Sequence, residues 1–130
     1  MLWFFLLLGF GILSLVFVVW ASLRRRRNIP ALVKARLKQR WEGVLAMTDP
    51  ALRVLEAEKV CDALLRALDY QGTFAEKLTA AAPRLSHVED LWSAHRFRNR
   101  IAHEMNCHVT DRQCRRAVQS FSTLVHRFLP

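Results

Sequence analysis

The chain has 130 residues and a formal net charge of +9. This length leaves room for one small domain and an appendage. Its three cysteines, an odd number, argue against a disulfide framework.

The first segment is strongly apolar. Residues 2–23, "LWFFLLLGFGILSLVFVVWASL", contain no charge and would form about 33 Å of helix, enough to cross a bilayer. A cleaved signal peptide would need a basic segment before its apolar core and small residues after it, whereas this run meets "RRRR". The pattern therefore predicts a retained transmembrane anchor over residues 1–23.

The basic charge is concentrated next to this segment. Residues 24–40 contain eight Lys or Arg and no acid, whereas residues 41–130 contain twelve basic and eleven acidic residues, a net of +1. Basic residues beside a span stay on the cytoplasmic side, which predicts a single-pass protein of the inner membrane, with its N-terminus outside and its C-terminal domain in the cytoplasm. The bulk charge thus indicates topology and contact with anionic lipid, and is poor support for nucleic-acid binding.

Two helices are predicted between Pro30 and Gly72. The stretch "ALVKARLKQRWEGVLAM" after Pro30 is amphipathic, and either lies on the membrane or packs as the first helix of the domain. The next helix begins at Asp49, with Pro50 at its first position and Gly72 as a stop. Its apolar face comprises Val54, Ala57, Cys61, Leu64, Leu65 and Leu68.

Three capping boxes predict three further helices. Helices over about 74–82, 87–105 and 111–128 follow the pairs Thr73 with Glu76, Ser86 with Glu89, and Thr110 with Gln113. No segment alternates like a strand. The predicted fold class is therefore all-α: an N-terminal transmembrane helix, a basic juxtamembrane segment over residues 24–40, and a small up-down helical bundle over residues 41–130.

The stretch "RFRNRIAHE", residues 96–104, places three arginines, an asparagine and a histidine within an otherwise apolar helical pattern. At about 100° per residue, one side carries Leu91, Ala94, Phe97 and Ile101, and a second stripe carries Trp92, His95, Arg96, Asn99 and His103. Arg98 falls nearer the apolar side. It must therefore reach solvent or meet an acceptor from another helix or subunit.

These residues are candidates for acid-base chemistry. A neutral His103 could take the proton from a ribose 2′-hydroxyl, Arg98 could stabilise the charge on the phosphorane oxygens, and Asn99 could orient either partner, with no metal or other cofactor. The alternative is an ordinary polar helix face.

The motif "RNRIAH", Arg98 to His103, resembles the arginine, four residues, histidine pattern of HEPN domains, with Asn after the Arg as in many HEPN ribonucleases. The resemblance covers roughly residues 41–128, and this stretch looks like a group of uncharacterised, membrane-anchored HEPN-like bacterial proteins. It implies a helical bundle, commonly a homodimer in which two motifs meet in a cleft and cut RNA without metal. His103 would then be the base or acid, Arg98 the phosphate-stabilising residue and Asn99 an auxiliary polar residue.

Other sites are weaker. The segment "HEMNCHVTDRQC" could group His103, Cys107, His108 and Cys114 around zinc, but its spacing matches no standard knuckle and Cys114 lies on a core stripe. No metal site is therefore predicted.

The predicted function is a membrane-anchored, cytoplasmic HEPN-like module with a noncatalytic binding or regulatory role. The alternative is a metal-independent endoribonuclease that uses Arg98, Asn99 and His103. Expected partners are the lipid bilayer, a second copy of the chain, and an RNA or a protein. The candidate binding residues are Trp92, His95, Arg96 and Arg100.

Overall fold

The computed structural model describes residues 2–25, 28–104 and 107–130, and within these residues all regular structure is helical. The six α-helices are α1 (Leu2–Arg25), α2 (Ala31–Leu45), α3 (Pro50–Ala67), α4 (Phe74–Ala81), α5 (Val88–His103) and α6 (Asp111–Phe128), with a 3-10 turn at Ala82–Arg84 after α4. The prediction of a helical bundle is confirmed.

The prediction of a transmembrane helix in this fold is wrong. Crossing the hydrocarbon core of a bilayer takes about 20 consecutive apolar residues. No helix in the described parts of the chain is long and apolar enough to do so. The continuous run of α1 whose side chains are described extends from Gly9 to Trp20, about 18 Å of helix; the rest of the predicted anchor, apart from Trp3, has side chains outside the described set.

Helix α3 is the centre of the bundle, because α2, α4, α5 and α6 all pack against it. Its predicted apolar face is buried from Val54 to Leu68. Helix α2 belongs to the bundle too: its Leu37, Trp41 and Val44 are buried. The helix therefore runs across the predicted boundary between residues 40 and 41.

Local sequence explains most helix starts. Asp49 accepts hydrogen bonds from the backbone N–H groups of Ala51 and Leu52 at the start of α3. Thr73 with Glu76, and Thr110 with Gln113, form the predicted capping boxes of α4 and α6.

The predicted capping box of Ser86 and Glu89 is wrong. Helix α5 instead begins after His87, whose backbone is left-handed with φ of 57° and whose side chain makes no capping hydrogen bond. That conformation turns the chain after Ser86 and moves the helix start by one residue. The predicted last residue of this helix, residue 105, lies outside the described residues, and α5 ends at His103.

One lysine is buried in the bundle. The Lys77 side chain of α4 is 1% exposed, and its Nζ lies 2.7 Å from Asp62 Oδ1 of α3. Asp62, which is 26% exposed, also meets Arg66 at 3.2 Å. The buried ammonium therefore has its carboxylate partner at the edge of the core.

We expect the two sides of this ion pair to respond differently to mutation. Asp62→Ala leaves a buried ammonium without a partner and should lower the free energy of unfolding by about 3 kcal/mol. Lys77→Met keeps the volume of the side chain and leaves Asp62 paired with Arg66, so it should change stability by less than about 1 kcal/mol. Urea unfolding followed by circular dichroism measures both, and equal losses would contradict this description of the pair.

Candidate functional site

The centre of the candidate site is a carboxylate that enters from α3. Glu58 lies on the apolar face of that helix, one turn after Val54 and one turn before Cys61, and its side chain is only 7% exposed. Its two oxygens face α5. A buried carboxylate needs charged or hydrogen-bonding partners, and α5 supplies two of them.

His95 binds the first oxygen of Glu58. Its Nδ1 lies 2.7 Å from Glu58 Oε2, and its side chain is 15% exposed. The imidazole ring also packs against Phe74 and Trp92, with ring centroids 5.2 Å and 6.0 Å away. His95 therefore faces the interior of the bundle. The sequence had placed it on a polar stripe apart from the apolar side of the helix.

Arg98 meets the second oxygen. Its Nε lies 3.1 Å from Glu58 Oε1, in an ion pair where the N–H is not aimed at the oxygen. The charged partner of Arg98 is therefore Glu58 of the same chain. The Arg98 side chain is 25% exposed, so part of it still reaches solvent.

Asn99 joins Arg98 to His95 and closes the network. Its Oδ1 accepts a hydrogen bond from Arg98 Nη1 at 3.1 Å, which directs its Nδ2 to His95 Nε2 at 3.2 Å. Because Nδ2 can only donate, Nε2 must accept, and the proton of a neutral His95 is on Nδ1, where it is donated to Glu58. The four side chains Glu58, His95, Asn99 and Arg98 form one closed polar network.

His103 is outside this network. It is the exposed last residue of α5, one turn beyond Asn99, and within the described residues no contact joins it to Arg98 or Asn99. The structure thus brings Arg98 and Asn99 together with His95, and separates His103 from them. Of the candidate binding residues, Arg96 and Arg100 are exposed, Trp92 is half-buried and His95 faces α3.

Glu58 was missed by the sequence analysis. The signal for it was a single acid inside the apolar face of α3, at helical spacing from Val54 and Cys61. The matching signal on α5 was Arg98, a basic residue on the apolar side of that helix. Neither observation alone identifies which two helices meet.

The cysteines are part of the core or close to it. Cys61 and Cys114 are buried, and Cys61 Sγ lies 3.5 Å from the backbone oxygen of Phe121. Burial raises the pKa of the Cys61 thiol well above its ordinary value, which keeps it protonated. Within the described part of the chain, no three His, Cys, Asp or Glu side chains are grouped closely enough to hold a metal ion.

Comparison of the chain with protein-family models, with curated proteins and with solved structures gives no significant match. The HEPN-like resemblance therefore remains a prediction from the motif and its helical context.

Removal of the central carboxylate tests the network. We expect Glu58→Ala to lower the free energy of unfolding by about 2–3 kcal/mol, because it leaves His95 and Arg98 partly buried without their acceptor. Glu56→Ala is the control on the same helix, since it removes only a surface pair with Lys59 and should cost below about 1 kcal/mol. Chemical denaturation measures both, and equal effects would contradict a structural role for Glu58.

Stability should also depend on pH through this residue. Burial raises the pKa of Glu58 above its ordinary value of 4.5, against the opposing effects of His95 and Arg98. The folded state therefore holds this proton more tightly than the unfolded chain does. The part of the stability that comes from this tighter proton binding is fully present below pH 4.5 and is lost as the pH rises through the raised pKa.

The matched variant is Glu58→Gln, which cannot titrate at this position. We expect the free energy of unfolding of the wild type minus that of Glu58→Gln to fall as the pH rises above 4.5. The subtraction cancels the titration of unrelated surface groups. A difference that increases over this pH range would contradict this prediction. It would show that the ion pairs of Glu58 lower its pKa by more than burial raises it.

Proposed function

We propose that this chain is a noncatalytic, HEPN-like binding or regulatory module. The observation that carries the proposal is the ion pair of Arg98 with Glu58, 3.1 Å apart in a largely buried setting. A guanidinium that neutralises a buried carboxylate is not available to stabilise charge on a substrate. The same holds for Asn99, whose amide oxygen and nitrogen are both engaged within the network.

Energetics supports this assignment. If Arg98 turned to a phosphate, Glu58 would lose its guanidinium partner in the interior. Separating a buried ion pair in this way costs several kcal/mol, about 3 to 5 for removal of one partner. Catalysis requires interactions that strengthen in the transition state, and here that gain would be offset by the loss of an existing pair.

The outward part of α5 is the surface that remains for a partner. Arg96 and Arg100 are exposed, and so is His103 at the end of the helix. Arg96 donates a hydrogen bond to Ser93 Oγ at 3.2 Å on the same helix, a contact that solvent or a partner can replace. A second copy of the chain, an RNA or a protein remain the expected partners, and the predicted membrane location, which depended on the anchor, is not part of this proposal.

The second candidate function is a metal-independent endoribonuclease. It is favoured by one observation: His103 is exposed one turn from Asn99, and the 25% of Arg98 that is accessible lies on the same helix. In that case a bound RNA would have to withdraw Arg98 from Glu58, and His103 would serve as general base.

An RNA cleavage assay separates the two functions. We expect the purified full-length chain to leave labelled single-stranded RNA intact in EDTA, and His103→Ala to behave identically. His126→Ala, which removes another exposed histidine in the last turn of a helix, is the control. Cleavage that survives EDTA, is lost in His103→Ala and is retained in His126→Ala would replace the proposal with the ribonuclease.

A further inference from the structure

The outer face of α2 is strongly basic. The helix buries one apolar face in the bundle and leaves its remaining residues outward. Of its basic side chains, Arg36, Lys38 and Arg40 are exposed and Lys34 is half-buried. The helix has a single acid, Glu42. Within the described residues no ion pair involves any of the four basic side chains, so the bundle does not neutralise their charge.

The fold brings the end of the chain to this helix. Lys38 Nζ donates a hydrogen bond to the backbone oxygen of Pro130, which places the end of α6 beside α2. The last turn of α6 carries Arg127, which is exposed. Residues 24–40 and 112–130 contain no Asp or Glu. Two segments that are far apart in the sequence thus combine into one basic surface at this end of the bundle.

Exposed apolar side chains lie next to these charges. Leu32 is 64% exposed, and it lies one turn before Arg36 on the outer face of α2. In the preceding helix, α1, the large apolar side chains that are described between Phe10 and Trp20 are 50–74% exposed. The chain therefore presents an apolar surface directly before its basic run.

A lipid bilayer is a partner that matches both properties. Its anionic headgroups attract basic side chains, and the layer just below them accepts exposed apolar groups. The long stems of Arg and Lys let their charged ends reach lipid phosphates while Leu32 enters the headgroup boundary. The phosphate backbone of a nucleic acid attracts the same charges, but it offers no apolar layer for Leu32 or for α1.

The geometry of α2 fits a flat surface. At about 100° per residue, the exposed Leu32, Ala35 and Gln39 run along the centre of its outward face. Arg36 and Arg40 form one flank of this face, one turn apart, about 6 Å along the helix axis. No charge on the central line separates the helix from the surface, and the two guanidinium groups can reach neighbouring headgroups.

We propose that the outer face of α2, with the adjoining end of α6, binds the anionic headgroup surface of a lipid bilayer. Arg36 and Arg40 contact lipid phosphates, and Leu32 enters the boundary between headgroups and acyl chains. Contact of this kind requires no helix that crosses the bilayer. It goes beyond the proposed function, which uses the outward part of α5, and it does not depend on that function.

The test is cosedimentation of the full-length chain with lipid vesicles. One set contains phosphatidylcholine alone, and the other contains equal parts of phosphatidylcholine and anionic phosphatidylglycerol. The readout is the ratio of the two partition coefficients, because an apolar contribution from α1 affects both sets alike and cancels. We expect the wild type to prefer the anionic vesicles at least about tenfold, since each basic side chain near an anionic surface contributes about fivefold.

Charge reversal on α2 tests the surface. Arg36→Glu combined with Arg40→Glu should lower this ratio at least about tenfold, because it removes two attractive charges and adds two repelling ones. Arg112→Glu combined with Arg115→Glu is the matched control. It makes the same change in net charge at exposed positions near the start of α6, away from Arg127. We expect the control to keep the ratio within about twofold of the wild type, and circular dichroism checks that both variants stay helical.

A third variant tests the apolar part of the contact. Leu32→Ala should weaken binding to the anionic vesicles at least about threefold, because less apolar surface enters the headgroup boundary. Leu52→Ala is its control, since it shortens a leucine that is 44% exposed on α3. We expect Leu52→Ala to bind these vesicles as tightly as the wild type does.

Several results would overturn the inference. These are equal binding of the wild type to both sets of vesicles, equal losses in the two double variants, or equal losses in the two leucine variants. Tighter binding of a single-stranded RNA than of the anionic vesicles would assign the surface to nucleic acid instead. None of these results depends on RNA cleavage. The assay with His103→Ala can therefore fail or succeed without deciding what α2 binds.

Discussion

The buried carboxylate of Glu58 is the constraint on which the rest of the bundle depends. A charge that is removed from water must find charged or hydrogen-bonding partners, and both of its partners come from one helix. His95 and Arg98 reach it at 2.7 Å and 3.1 Å. These contacts set the rotation of α5 against α3, and Asn99 then determines which nitrogen of His95 carries the proton. One carboxylate thereby orients three side chains of α5 and holds that helix against α3.

The burial of Glu58 gives part of the motif on α5 a structural role. As a sequence, Arg98, Asn99 and His103 form a set of residues suited to RNA cleavage. In the folded chain, two of them belong to a structural network and the third is exposed at the end of the helix. The polar stripe is divided between an inner side, which contacts Glu58, and an outer side, which is exposed. Arg98 and Asn99, which catalysis would need, are therefore engaged in contacts that stabilise the fold.

The same central helix carries a second buried charge contact. Asp62 lies one turn after Glu58 on α3, where it pairs with the buried Lys77 of α4. The two acids thus hold α4 and α5 to α3 at neighbouring turns, and Cys61 lies between them in the core. In contrast, a groove between α5 and α6 is lined mostly by small and polar residues, and these helices leave space between their outer edges. The bundle is therefore closely packed at its centre and leaves an open cleft between the outer edges of α5 and α6.

The sequence by itself determined the helices, because periodicity and capping are local properties. The cap at Asp49, the boxes at Thr73 and Thr110, and the buried face of α3 were all predicted correctly. Local patterns failed at Ser86, where the left-handed backbone of His87 starts the helix, and at the N-terminal segment, where the predicted span was wrong. Only the tertiary structure decided that Glu58 would meet Arg98 and that Arg100 and Arg116 would share a cleft. Those pairings join residues far apart in the chain, and the spacing along one helix carries no information about which other helix it faces.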